Sequence, residues 1–285
     1  MTLITSPANP RISLLRTLQT SRGRKKNELF LMEGLHLLEV LLDARLLPQE
    51  IYYQPALMQR TPQGSVLLVR MLGVFAGMPE RLIEVSERVI EAISEVQTSQ
   101  GVVCVLPLTA LQAANVQARR LPRSRPVLLL LDSISDPGNM GTLLRTALAA
   151  DVEMVLLTPG SVDYYSPKVV RAAAGAHVAL PVAIDVSWST IAEHVARHCQ
   201  GSPRVYLADA GSPHLYYEQD FVQPCVLVIG NEAHGPSSEA RALATLPISI
   251  PLANGVESLN AAMAGGIILY EAVRQIRLSQ APSSS

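Results

Sequence analysis

Three stretches of this 285-residue chain place acids, amides and glycines where apolar runs end. The first follows Val127–Leu131 and reads Asp132-Ser-Ile-Ser-Asp136-Pro-Gly138-Asn139-Met-Gly141-Thr-Leu-Leu-Arg145. The second follows Val226–Ile229 and reads Gly230-Asn231-Glu232-Ala-His234-Gly235-Pro236. The third follows Ile248–Ile250 and reads Pro251-Leu252-Ala-Asn254-Gly255-Val-Glu257-Ser258-Leu259-Asn260. Arginine can hold a phosphate through two parallel N–H donors, which makes Arg145 a candidate anion ligand. A carboxylate at a strand end, such as Glu232, needs water, a partner or a substrate. Gly230 lets the backbone approach a ligand or take positive φ. Each residue also has a plainer reading. Arg145 can be a surface helix arginine and His234 an exposed loop histidine. Asn139 and Ser258 are good helix N-caps, which alone would explain them. Asn260, in the first turn of the last helix, has no simple packing rationale.

The elements that must carry these loops follow from apolar periodicity. Residues 126–285 predict strands at 127–131, 153–157, 178–180, 205–208, 226–229 and 248–250. Helices are predicted over about 140–150, 169–174, 191–199 and 258–276. Strands alternating with helices give an α/β fold with a mostly parallel sheet covered on both faces. Ligands of such sheets bind beyond the carboxyl ends of the strands, where all three loops fall. Residues 1–107 predict a smaller α/β domain. Its strands are expected at 29–32, 51–53, 66–69 and 102–106, with a helix carrying Leu35, Leu38, Leu41 and Leu42 and another capped by Ser86. Residues 108–125 read as a linker, rich in arginine (Arg119, Arg120, Arg123, Arg125).

Hydrophobic residues make up 48% and charged residues 16%, enough apolar material for packed cores. Three scattered cysteines show no ligand spacing, so neither a disulfide framework nor a metal site is expected. Their use suits a reducing cytoplasm. No apolar run approaches the ~20 residues that span a bilayer, and no targeting segment is recognisable. Charge is divided. Residues 1–125 carry net +5 and residues 126–285 net −6, which together give the −1 of the whole chain. A basic front half suits a polyanionic partner. Arg11, Arg16, Arg22, Arg24, Lys25 and Lys26 all precede the first acid, Glu28.

Three loops of this kind, in this order and each after a strand, resemble the SpoU (TrmH-like) family of RNA ribose methyltransferases within the SPOUT superfamily. The resemblance spans about 127–276. It rests on Asn139 to Arg145, on Gly230-Asn231-Glu232 with Gly235, and on Ser258-Leu259-Asn260. The front domain resembles the family's RNA substrate-binding domain, which is similar to small RNA-binding ribosomal proteins. The stretches that carry this are Ser6 to Pro10, Arg22 to Lys26 with Glu33-Gly34, and Ser99-Gln-Gly101.

The family resemblance implies a deep trefoil knot and a homodimer with the knot and last helix at its interface. It implies S-adenosylmethionine lined by Gly230, Ile250 and Leu259, with Asn231 and Leu252 nearby. It implies Arg145 as the residue that activates a ribose hydroxyl, assisted by Asn139, Glu232, Ser258 and Asn260. RNA would be held by Arg22, Arg24, Lys25 and Lys26, with ribosomal RNA favoured over transfer RNA. An ordinary nucleotide-cofactor enzyme is disfavoured because neither G-x-G-x-x-G nor a Walker loop is present. A non-catalytic RNA-binding module and a base methyltransferase are the other readings weighed.

Overall fold

The computed structural model describes residues 3–111, 125–199 and 203–280. The chain forms two units: 1–117 with 165–179, and 118–164 with 180–285. Arg119, Arg120 and Arg123 of the expected linker lie outside the described residues.

In the first unit, α1 (Pro10–Thr17) and α2 (Ser21–Asn27) precede β1 (Leu29–Glu33) and α3 (Leu35–Asp43). Then come β2 (Glu50–Tyr53), α4 (Pro55–Met58), α5 (Pro62–Val74), β3 (Leu82–Glu84), α6 (Glu87–Ile93) and β4 (Val102–Pro107). The sheet order is β1-β4-β2-β3. β4 runs antiparallel to both neighbours, so Cys104 faces Met32 on one side and Ile51 on the other.

The strand expected at Val66–Val69 is instead part of α5. Thr61 caps that helix through a hydrogen bond from Gly64 N at 3.0 Å, and Pro62 supplies a preset φ in the first turn. Leu67, Leu68 and Met71 are buried, whereas Val66 and Val69 are 68% and 72% exposed. That is a helical period, and it outweighs the local preference of valine for strands.

The second unit opens with β5 (Val127–Leu131), whose five residues are all buried, as suits a central parallel strand. It is followed by α7 (Pro137–Ala149) and β6 (Met154–Leu157). Next in the chain are α8 (Pro167–Ala172) and α9 (Ala176–Ala179), which belong to the first unit. The second unit resumes with β7 (Val182–Ala183), α10 (Trp188–His198), β8 (Arg204–Ala208), β9 (Cys225–Ile229), α11 (Ser238–Leu243), β10 (Leu246–Ile248) and α12 (Ala261–Gln280). The six strands pair in parallel in the order β10-β8-β9-β5-β6-β7.

Two strands of this unit are displaced from expectation. Residues 178–180 were expected as strand, but they end a helical turn before Pro181, and β7 keeps only two residues. The strand expected at 248–250 lies at Leu246–Ile248. After β10, at the edge of the sheet, the chain returns to its centre, where α12 packs on α7 and β9. Gly265 makes that approach possible, because a Cβ there would sit 2.6 Å from Leu143 Cδ2.

Residues 165–179 fall by sequence inside the second domain, yet they pack in the first unit. The Phe30 and Tyr165 rings lie 5.1 Å apart, and Arg171 pairs with Glu95 at 3.4 Å. A Cβ on Gly175, at φ +89°, would be 3.0 Å from a Val40 methyl.

Candidate active site

The first motif loop is organised by Asp136. It is the N-cap of α7, accepting from Asn139 N at 2.7 Å. Asn139 is therefore not the cap, and its side chain is free to act elsewhere. Its Nδ2 donates to Glu232 Oε1 at 2.9 Å, and its Oδ1 accepts from Asn260 Nδ2 at 2.8 Å. Asn260 in turn accepts from Ala262 N at 3.0 Å and Met263 N at 3.2 Å, so it starts the last helix. The cap expected at Ser258 lies two residues too early, because α12 begins at Ala261.

Glu232 collects four donors from the first loop. Oε2 accepts from Ser135 N at 3.1 Å and Ser135 Oγ at 2.9 Å. Oε1 accepts from Asp136 N at 3.2 Å and from Asn139. Partial burial pushes its carboxyl pKa up, but the Asn139 amide and the Ser135 donors outweigh this and bring it down to about 2. Glu232 is thus a fixed anion that bridges two loops. Asn231 adds a second tie: its Nδ2 donates to Ser133 O at 2.7 Å, and its Oδ1 accepts from Ala233 N and His234 N. The His234 residue is exposed.

These loops border a cleft of about 530 Å³ beyond the carboxyl ends of β8, β9 and β10. That is the size of a small-molecule site. Gly230, Asn231, Ile250, Leu252 and Leu259 line it, and so do Asn139, Glu232, Ser258 and Asn260. Nine of the ten residues singled out around these loops therefore meet in one place. Arg145, the tenth, is exposed on α7 and does not line this cleft. Gly230 is required by close backbone packing, since a Cβ there would lie 2.5 Å from Pro236 N.

The sequence reading missed Asp209 and Arg241 on the cleft wall, which pair at 2.8 Å. The Arg241 guanidinium and the Gly211 N–H hold the Asp209 carboxyl below its ordinary range despite partial burial. Asp209 directly follows β8, as Asp132 follows β5, and that position was the available signal.

In the first unit, Arg11, Arg16, Arg22, Lys25 and Lys26 are exposed on α1 and α2. Arg24 is not among them. It is 3% exposed and donates to Leu18 O at 2.7 Å, so its charge is used inside the unit and it is withdrawn as an RNA ligand. The surrounding motif is also architectural. A Cβ on Gly23 would overlap Thr17 O at 1.9 Å. Glu33 accepts from Glu95 N at 3.2 Å and from Ser94 Oγ, and Gln100 Oε1 accepts from Leu35 N at 2.9 Å. Ser99 Oγ also donates to Glu33 Oε1 at 3.5 Å, so the Glu33-Gly34-Leu35 and Ser99-Gln100 stretches hold each other.

The SpoU rRNA Methylase family matches residues 126–270, the part that holds this cleft. The chain belongs to that family. An MRM3-like substrate binding domain matches residues 9–104. An uncharacterized tRNA/rRNA methyltransferase of Synechocystis is 35% identical over 95% of this chain and 93% of its own. The 23S rRNA (guanosine(2553)-2'-O)-methyltransferase RlmP of Bacillus subtilis is 29% identical over 95% and 98%. The solved SpoU methyltransferase AviRb of Streptomyces viridochromogenes, in complex with the cofactor AdoMet, superposes with TM-score 0.79 at 27% identity. It covers 95% of this chain and 99% of that one. The α/β fold with a parallel sheet is therefore that of SpoU methyltransferases. Among the described residues, no group of His, Cys, Asp or Glu could hold a metal, and no helix is long and apolar enough to cross a membrane.

Proposed function

We propose that this SpoU-family chain transfers a methyl group from S-adenosylmethionine (SAM) to a ribose 2'-hydroxyl of ribosomal RNA. The observation that carries this is the single cleft in which all three motif loops meet, with the Asn139–Glu232–Asn260 network on its rim. The 2'-O-methyltransferase activity of RlmP on 23S rRNA and the AdoMet bound to AviRb support it.

The cleft has the volume and the mixed polar and apolar lining that the cofactor needs. Ile250, Leu252 and Leu259 supply apolar walls, and Gly230 brings backbone to the surface. When bound, SAM supplies a methyl carbon on a positively charged sulfur. The chain's part is to align the ribose oxygen with that carbon and to help remove the hydroxyl proton. Positioning alone accounts for much of the rate in such reactions. Glu232, Asn139, Ser258 and Asn260 form the rim that orients the substrate.

Arg145 holds the substrate phosphate through two N–H donors, and the phosphate or a shifted arginine receives the proton. Guanidinium is a poor base as it stands, because it stays protonated in proteins. The homodimer and the trefoil knot implied by the family belong to this reading. Supporting them are the return of the chain from edge strand β10 to the sheet centre and the exposed Met263 and Tyr270 on α12. Arg22, Lys25 and Lys26 supply phosphate contacts from the first unit, and the setting is the cytoplasm.

The test supplies methyl-labelled SAM with ribosomal and transfer RNA and then hydrolyses the RNA in alkali. A 2'-O-methyl blocks strand cleavage, so label from ribosomal RNA is expected in uncleaved dinucleotides. Label in mononucleotides would place the methyl on a base. Label only in transfer RNA would change the substrate. An absence of label on both, with SAM bound, would favour a non-catalytic RNA-binding protein.

A further inference from the structure

Asp132 is a buried acid that the chemistry above does not use. It ends the central strand β5 and is 2% exposed. Its Oδ2 accepts from Ser237 N at 2.7 Å, and its Oδ1 from Thr158 Oγ1 at 3.3 Å. Its own N–H donates to Ile229 O at 2.9 Å. Thr158 follows β6 and Ile229 ends β9, the two strands that flank β5. One residue therefore ties together the exits of three adjacent central strands: its backbone N–H reaches β9, while its side chain reaches the residue after β6 and the N-cap of α11. Ser237 is the N-cap of α11, so its position sets where the 230–236 turn rejoins the fold. Within that turn Gly230 and Pro236 are in close contact, and both line the cleft.

We infer that Asp132 is a positioning residue for the cofactor: its carboxylate draws the return arm of the 230–236 turn down onto β5 and so shapes the cleft wall. The inference rests on reading the cleft as the SAM site. A buried carboxylate earns its place only if its acceptor sites are filled, and both oxygens here have a donor. Asp132 is buried and its bond to Ser237 N is partly so, and losing that bond leaves the Ser237 N–H without its protein partner. Asparagine has nearly the same shape. Its oxygen can accept from Ser237 N while its amide donates to Thr158 Oγ1, so Asp132→Asn retains the tie and Asp132→Ala loses it.

The experiment has two readouts on the full chain. Hydrogen exchange of the amides at 230–237 reports the turn without any ligand, and SAM titration with steady-state kinetics reports the cleft. For Asp132→Ala, exchange at 230–237 is expected to accelerate at least tenfold. SAM Kd and KM should rise at least tenfold, with kcat at saturating SAM within about threefold of the parent. Asp132→Asn is expected to stay within threefold of the parent throughout. Unchanged exchange at 230–237 in folded Asp132→Ala would overturn the inference. Faster exchange together with a parent that binds no SAM would instead overturn the cofactor reading of the cleft. If Asp132→Ala does not fold, Asp132→Val, which fills more of the space and has no acceptor, carries the same comparison.

Discussion

Asn260 donates its side-chain amide to Asn139 Oδ1 at 2.8 Å, across 121 positions of sequence. The bond joins the start of α12 to the first turn of α7, and the other end of Asn139 grips Glu232. Neutral hydrogen bonds contribute about 0.5–1.5 kcal/mol and those to charged groups about 1.5–3 kcal/mol. Because this network is open to solvent, Asn139→Ala should cost about 1–2 kcal/mol of unfolding free energy in urea and lower kcat/KM at least tenfold. Asn260→Ala should be less than additive with it, with a coupling of about 0.5–1 kcal/mol in a double-mutant cycle.

Glu232 makes stability depend on acid. Its folded pKa of about 2 lies below its ordinary value of 4.5. Between these values the unfolded chain binds the proton and the folded chain does not, so stability rises with pH in that window. The contribution is complete above about pH 4.5 and is lost as pH falls through about 2. Melting curves of the parent and Glu232→Gln should show a gap that is constant at neutral pH and closes between pH 4.5 and 2. A gap that does not vary with pH would contradict the charged role.

Arg145 separates binding from chemistry. It does not line the cleft, so Arg145→Ala should leave SAM affinity within about threefold of the parent while abolishing methyl transfer. Arg145→Lys should remain poor, since lysine cannot form the two-pronged phosphate contact. Isothermal titration beside the labelling assay decides this, and strong residual turnover would remove Arg145 from its role.

The basic helices give a contrast between neighbouring arginines. Replacing exposed Arg22, Lys25 and Lys26 together by alanine should leave Tm unchanged and reduce the slope of log affinity against log salt. At about 0.7 per phosphate on single-stranded RNA, three lost contacts lower that slope by about 2. Arg24→Ala should instead destabilise the unit by about 1.5–3 kcal/mol, because a buried charge-assisted hydrogen bond is lost. Filter binding across a salt series and thermal unfolding distinguish the two.

The location of the cleft was legible because strand ends, glycines and polar side chains coincide in the sequence. What each polar residue does was not. Asn139 and Ser258 have the local signature of caps, yet Asp136 and Asn260 perform those tasks. The partners that decide the matter lie 93 and 121 residues away. No local pattern encodes such pairs. The same limit hid Arg24, whose neighbours in sequence are all solvent-exposed cations or a glycine. At Val66–Val69 the failure was of another kind, because strand-preferring residues sit on the outside of a helix that packing and a Thr-Pro start impose.

The segment 165–179 bears on how the protein is made. The first unit draws Tyr165, Arg171 and Gly175 from beyond β5, α7 and β6, onto Phe30, Glu95 and Val40. During synthesis from the N-terminus, β1 to β4 emerge before the piece that covers part of them. The amino-terminal unit therefore waits, with Phe30 uncovered on that side, until the first third of the following domain has been translated. In a nascent chain stalled near residue 120 the Phe30 face is expected to be open to chaperone crosslinking, and once residues 165–179 have cleared the exit tunnel that face is expected to be protected.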